Sequence, residues 1–516
     1  MRVYLLFKER PLDLDAGDPW GSETLLRDLD LEPILDAMAG GDRFIREVAR
    51  KALLLGTPSV GDILYRQEAL KDALRSPEAI RAVYKALTDT VNKARSLWWL
   101  PRSRSTPAST ISYSAKLLEV YIEGIERVRE ILRERRTGFK SEAFTTLIRV
   151  LDEYFDEEYT RAVREALRYL DIYEALSIKV SLSRSAELRG FKLIRPARRT
   201  GLKRVLSRIT ERRYSWSLPP RDDAGAKELE DIKNLALEGP ARILNISYQH
   251  VLEFIKSLRA ELAFYVGALN LWDRLREIGV PLSFPIPHEA LQRVLRFKDL
   301  VEASLALRMN RRPVANTIDA GGKPLILVSG PNRGGKTVFL RSIGQAQLMM
   351  MAGMFVAAEH FESSITRGVY THFRAEEKAN LSRGRLEEEL ARMSEIVDHI
   401  KPGSLLLMNE SFSSTNEREG SEIAREILCA LIEKGVRVIY VTHFYEIQRW
   451  FLEKRRSDTL FLRAERKEDG TRTYRILPSM PERSNYAEEL YHKILEARPT
   501  SKAKAAAPPQ DQSPSK

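Results

Sequence analysis

Apolar residues recur at intervals of three and four through most of the first 300 positions. "RFIREVARKALLL" (Arg43–Leu55), "AIRAVYKALTDTVNKA" (Ala79–Ala94) and "AKLLEVYIEGIERVREILRERR" (Ala115–Arg136) each set an apolar stripe beside a charged face. That is the signature of an amphipathic helix. "EAFTTLIRVLDEYFDEEYTRAVREALRYL" (Glu142–Leu170) keeps the same period throughout and predicts one long helix. "WWLPRSRSTPAST" (Trp98–Thr110), rich in Pro and Ser, breaks the series. Long helices with few strand signals point to levers or bundles.

From about Phe284 the pattern changes. Short apolar runs alternate with helical stretches: "PLILVSG", "SLLLMNE" (Ser404–Glu410) and "VRVIYVTH" (Val436–His443). Near-continuous apolar runs read as strands buried on both faces, so a mainly parallel sheet covered by helices is expected. "DTLFLRAER" and "TRTYRIL" flank Lys467–Gly470, whose Asp-Gly pair predicts a hairpin. A helix around Tyr486–Ala497 would close the region, and the low-complexity tail from Ser501 to Lys516 is expected to be disordered. The chain thus divides into a helical region, 1–283, an α/β region, 284–500, and a tail, 501–516.

Composition narrows the class. A chain of 516 residues exceeds one hydrophobic core, and its 43% hydrophobic and 30% charged content fits a globular protein. "LMMMAGMFVAA" (Leu348–Ala358) is about half a membrane span and reads as a buried helix passing into a strand. No signal peptide or membrane segment is expected. The single cysteine, Cys429, cannot form an internal disulfide and is read as a buried structural thiol, in keeping with a reducing cytoplasmic interior. The net charge of +12 suits either solubility or a polyanionic partner. Between Arg184 and Arg213 stand eleven Lys or Arg against two Glu. Arg195, Arg198, Arg199, Lys203, Arg204 and Arg208 in that stretch form either a solvated face or a surface for DNA phosphates.

The chemistry concentrates in three places. Gly330-Pro331-Asn332-Arg333-Gly334-Gly335-Lys336-Thr337 follows an apolar strand and opens a helix. Glycines there let main-chain amides curl round phosphates, and the positive helix end faces them. Lys336 would reach the β and γ phosphates of ATP, and Thr337 would hold Mg²⁺. A second strand ends in Asn409-Glu410. Glu410 is the candidate base for an attacking water, while Asn409 stands where Asp is usual and lacks its charge. A third strand ends in Thr442-His443, where His443 either senses the γ-phosphate or plays a structural part.

These residues resemble the ATPase domain of the MutS DNA mismatch-repair family. The likeness rests on "GPNRGGKTVFLRSIGQAQLMMMAGMFVAAE", "LLLMNESFSSTNEREGSEIAREIL" and "VIYVTHFYEI", in that order, and is strongest over Phe297–Glu446. "GDILYRQEALKDAL" (Gly61–Leu74) is similar to the start of the family's helical core and lever. The resemblance implies an α/β P-loop ATPase domain of ABC/MutS type preceded by a mostly α-helical core/lever region. It implies ATP and Mg²⁺ as cofactors, with catalytic Glu410 and His443, nucleotide contacts from Gly330 to Thr337, and metal contacts from Thr337, Asn409 and Glu410. It also implies a homodimer whose composite sites each borrow a loop, here Ser411–Gly420, from the other subunit. In that loop Asn416 would reach a phosphate. The reading is ATP-driven switching on mismatched, branched or duplex DNA in mismatch repair or a related process, alone or with a repair-protein partner. This sequence has no room for the family's mismatch-probing N-terminal domain, so a shortened MutS-like protein is expected. Two rivals stay open: a nucleotide-gated structural protein with little turnover, and an ABC-type ATPase acting on a partner other than DNA.

Overall fold

The computed structural model describes residues 3–57, 59–97, 106–170, 178–182, 184, 188–193, 219, 221–374, 384–467 and 471–481. Its packing divides the chain into two compact units. One comprises Met1–Gly322 with Arg341–Thr371, the other Lys323–Leu340 with His372–Lys516. Residues 284–322, which the sequence groups with the α/β region, pack with the first unit.

Helices dominate the first unit, at Arg43–Leu55, Val60–Arg75, Pro77–Ser96 and Pro107–Glu134 among others. Their starts follow local capping chemistry. The Asp42 carboxylate accepts from the Phe44 and Ile45 amides, and Pro77 and Pro107 stand in first turns, where no amide partner is needed. The single helix expected over Glu142–Leu170 is two, Glu142–Tyr154 and Glu157–Leu170. Asp156 causes the break: its side chain accepts from the Tyr159 amide at 2.6 Å and starts a second helix, a bond that mid-helix geometry would forbid. The longest element, Asp223–Glu277, is a 55-residue helix that the sequence reading did not single out. At 1.5 Å per residue it extends for about 80 Å. Much of its C-terminal half is apolar and buried, Phe254 to Leu275, against the helices Arg43–Leu55, Pro77–Ser96 and Pro107–Glu134.

Strands in chain order are β1 Ile178–Leu182, β2 Leu188–Leu193, β3 Ile286–His288, β4 Leu295–Leu300, β5 Asn316–Asp319 and β6 Leu325–Ser329. Then come β7 His360–Ser364, β8 Val369–Phe373, β9 Leu405–Asn409, β10 Arg437–Val441, β11 Thr459–Arg466 and β12 Arg472–Pro478. β1 and β2 form an antiparallel pair, and β3-β7-β4-β5 form a four-stranded sheet. The third sheet has the order β12-β11-β6-β10-β9-β8. Within it β11, β6, β10 and β9 run parallel, and β12 returns antiparallel beside β11 as the hairpin reading required. The hairpin's Asp-Gly turn, the helix expected at Tyr486–Ala497 and the tail lie outside the described residues. No helix among the described residues is long and apolar enough to cross a membrane. Cys429 is half-buried rather than buried, because its position on the helix Glu417–Glu433 falls between the core face and the solvent face; desolvation raises its thiol pKa.

A buried polar cluster anchors the irregular N-terminal segment of the first unit. The Glu261 carboxylate accepts from the Leu5 and Leu12 amides, the Tyr265 hydroxyl donates to Leu5 O, and the Arg66 guanidinium donates to Leu6 O. Burial pushes the Glu261 carboxyl up to about 8, with those amides and Arg66 pulling the other way. A raised carboxyl pKa means the folded chain keeps a proton that the unfolded chain releases above its ordinary value of 4.5. The group's contribution is therefore full at acid pH and is lost as pH rises through about 8. Thermal melts should show the midpoint falling from about pH 5 to about pH 8. Glu261→Gln should flatten that slope, while lowering the midpoint at acid pH because its NH₂ would face amide donors. An equally steep slope in the variant would remove Glu261 from the explanation.

Candidate functional site

β10 lies between β6 and β9 in register, so Val441 pairs both Val328 and Asn409. The carboxyl ends of the three strands are thus level, and the three sequence motifs leave the sheet at the same edge. Crevices at such edges are where open α/β sheets bind ligands.

The loop after β6 is shaped by positions where a side chain has no room. Gly330 has φ +119°, and a Cβ there would lie 2.9 Å from the Ala464 nitrogen. A Cβ on Gly334 would lie 2.9 Å from Pro331 O. The helix Lys336–Met351 starts directly behind, with Gly335 O accepting from the Phe339 amide. Amides of its first turn have no carbonyl ahead of them and are free to bind an anion. The Lys336 ammonium is buried and donates to Gly330 O at 2.8 Å and Pro331 O at 3.0 Å. Burial lowers its pKa, Glu410 opposes that, and Arg472 adds to it. A buried cation held by carbonyls inside a glycine cradle, with free amides beside it, is a donor set that fits polyphosphate.

Across the sheet edge the Thr337 hydroxyl donates to Asn409 Oδ1 at 3.2 Å. This joins the end of the glycine-rich loop to the end of β9 and leaves hydroxyl and amide oxygens together, which suits a hard cation. Glu410 follows with φ +52° and Phe412 with φ +63°, both rare for residues with side chains. The turn holds because its polar groups are tied on every side. The Glu410 amide donates to Val441 O at 2.9 Å, and the Tyr440 hydroxyl donates to Ser411 O at 2.8 Å. Ser411 Oγ sits 2.7 Å from His372 Nδ1 and 2.9 Å from His372 O. His372 is fully buried, and desolvation takes its imidazole down to about 4, so it is neutral. Its Nε2–H donates to Glu389 O at 3.0 Å, which leaves Nδ1 an acceptor facing the Ser411 hydroxyl, whose single proton is directed to His372 O or to Nδ1. The ring stacks on Phe412 at 5.5 Å.

His443 leaves β10 at the same edge. It is exposed by surface area, yet the protein around it crowds the ring; that crowding lowers its pKa, Glu410 opposes the shift, and Lys336 reinforces it. Asn416 is an exposed helix cap, its Oδ1 accepting from the Glu419 amide at 3.0 Å. Asn332 and Arg333 are exposed on the loop, Arg333 with φ +59°. The structure therefore brings together the loop Gly330–Thr337, Asn409 and Glu410, and His443. Arg195, Arg198, Arg199, Lys203, Arg204 and Arg208 lie outside the described residues.

Sequence reasoning missed the hairpin's part. Ala464 closes on Gly330 and Gly334, Tyr474 O lies 3.3 Å from a Cβ placed on Gly335, and Arg472 is felt at Lys336. It also missed the His372–Ser411 support. The hairpin follows the loop by well over a hundred residues and carries no motif of its own, so only its φ +61° at Tyr474 marks the place in the fold.

The family model of the MutS2 N-terminal domain matches residues 59–278, and that of MutS domain V matches residues 326–490. Endonuclease MutS2 of Geobacillus kaustophilus is 31% identical over 214 residues, 41% of this chain and 27% of the relative. Endonuclease MutS2 of Lactiplantibacillus plantarum is 32% identical over 181 residues, 34% of this chain and 22% of the relative. DNA mismatch repair protein MutS of Microcystis aeruginosa is 29% identical over 240 residues, 43% of this chain and 26% of the relative. The aligned parts thus span about a quarter of those relatives' length. With the helical region matching one domain of that lineage and the loop-bearing sheet another, the chain belongs to the MutS family.

Proposed function

We propose that the chain is a DNA-associated ATPase of the MutS type. The observation that carries this reading is the junction of Lys336, Thr337, Asn409 and Glu410 at one sheet edge, closed by the Thr337–Asn409 hydrogen bond. Amides of the loop and the Lys336 ammonium bind the phosphates of ATP, exchanging two carbonyl contacts for anionic oxygens. Thr337 and Asn409 would hold Mg²⁺, directly or through water. When bound, that ion supplies neutralisation of the negative charge that builds on the phosphate oxygens. Glu410 orients the attacking water and takes its proton. His443, whose pKa is lowered by burial, would report on the terminal phosphate. Tyr474 offers an exposed ring next to the loop for the base. Asn416, capping its helix, is assigned to the partner's nucleotide in a homodimer. ATP binding and hydrolysis then shift the dimer between DNA-holding and DNA-releasing states.

DNA as the partner is supported by the MutS relationship and by the net charge of +12. The basic stretch Arg184–Arg213 is the proposed phosphate-contacting surface. Gel shifts with linear, mismatched and branched duplexes, each at low and at physiological salt, test the assignment. Binding that weakens steeply with salt is expected. Absence of binding to all three at low salt would move the reading to an ATPase acting on a partner other than DNA. The neutral Asn409 favours a second reading, a nucleotide-gated switch with slow turnover, because an amide holds a divalent cation less firmly than a carboxylate.

A further inference from the structure

A cavity lies wholly within the first unit, between the helices Pro77–Ser96, Pro107–Glu134 and Asp223–Glu277. Its volume is about 620 Å³, within the range of small-molecule sites. Its lining is periodic. Tyr113, Leu117 and Tyr121 fall four apart on one helix; Tyr248, Leu252 and Lys256 fall four apart on another, with Arg259 following. Each helix therefore gives the cavity a single face. Arg95 comes from the last turn of the third helix, and no lining residue among the described residues is acidic.

Two kinds of group meet there. Tyr113 and Tyr248 stand edge to face with centroids 6.4 Å apart, and Tyr121 is buried behind them. Burial and its tyrosine neighbours push the Tyr121 hydroxyl up to about 12, so it stays a hydrogen-bond donor. Arg259 is fixed before any ligand arrives: its Nε donates to Thr88 Oγ1 at 3.1 Å and its guanidinium lies 3.8 Å from the centroid of Phe44, which also lines the cavity. Lys256 pairs with Glu253 at 3.0 Å, but that pair is exposed and easily exchanged. Cations at a cavity with no carboxylate among the described residues of its wall favour an anion. Aromatic faces beside them favour a flat ring.

We propose that this cavity binds a nucleotide unit, its base among Tyr113, Tyr121 and Tyr248 and its phosphate on Arg95, Lys256 and Arg259. Base–aromatic contact together with a basic rim is how single strands are held without sequence preference. The unit is either a free nucleotide or one residue of a single strand. The single-strand case rests on the DNA half of the reading above and is independent of the ATPase half.

The test uses the full chain with no adenine nucleotide added, so that only the probe and its competitor can enter the cavity. Anisotropy of a short fluorescent oligothymidylate is measured at low and physiological salt, with thymidine monophosphate as competitor. The wild type should bind. Tyr248→Ala should weaken binding about tenfold or more, Tyr248→Phe should not, and Arg95→Ala should reduce the salt slope by about one. Competition by the monophosphate assigns the free nucleotide, and its absence assigns the strand. Unchanged affinity in Tyr248→Ala together with an unchanged slope in Arg95→Ala would overturn the proposal. So would failure of the wild type to bind either probe. If that wild type still shifts duplex or branched DNA, the DNA reading survives the loss of this site. Should Tyr248→Ala lose its fold, the Arg95→Ala slope decides.

Discussion

Lys336→Ala should abolish productive ATP binding. The ammonium is buried in its own loop, where two carbonyls accept from it and Glu410 favours its charge. Hydrogen bonds to a charged group are worth about 1.5–3 kcal/mol each, so losing one or two of them to phosphate weakens ATP by roughly 10- to 10,000-fold or more. Phosphate release should fall by a further large factor, because the same cation stabilises charge that grows in the transition state. Alanine also leaves Gly330 O and Pro331 O without their donor, so a melting curve must accompany the titration. Equilibrium binding of labelled ATP together with phosphate release checks both parts. A variant that binds and hydrolyses like the wild type would remove Lys336 from the site.

Glu410→Gln separates chemistry from binding. The amide has the carboxylate's shape and keeps the turn, whose φ of +52° is held by the Glu410 amide bonded to Val441 O. It cannot accept a proton from water. General-base catalysis is worth about 10²–10⁴-fold, so kcat should fall by that much while KM for ATP moves little. The variant should accumulate in its ATP-bound state. A rise in KM with kcat preserved would make Glu410 a binding residue instead.

Much of the architecture was legible because its physical cause is local. The runs at Leu325, Leu405 and Val436 are almost wholly apolar, and both faces of a central strand are covered, so they read as strands without alternation. The glycine loop was legible because its geometry excludes side chains, as Ala464 shows at Gly330 and Gly334. The break at Phe155–Asp156 was not read, since the apolar period continues through it and a single Asx cap decides the matter. The four-stranded sheet of β3, β4, β5 and β7 was also not read, because its strands are short and its pairings join residues up to 76 positions apart, as Ile286 with Glu362. Non-local pairing leaves no trace in a short window. The same holds for His372, which supports the turn after Glu410 from a strand in another part of the sequence. A lone buried histidine looks like any other core residue until its partner is seen.

The central claim is that one sheet edge assembles a working phosphate-cleaving site from Lys336, Thr337, Asn409 and Glu410. Its most direct test is phosphate release from ATP by the purified full chain, with and without Mg²⁺, beside Glu410→Gln prepared in parallel. Mg²⁺-dependent release that the variant loses, with ATP still bound by both proteins, is the predicted result. Tight ATP binding with no release by the wild type above that of the variant would contradict it.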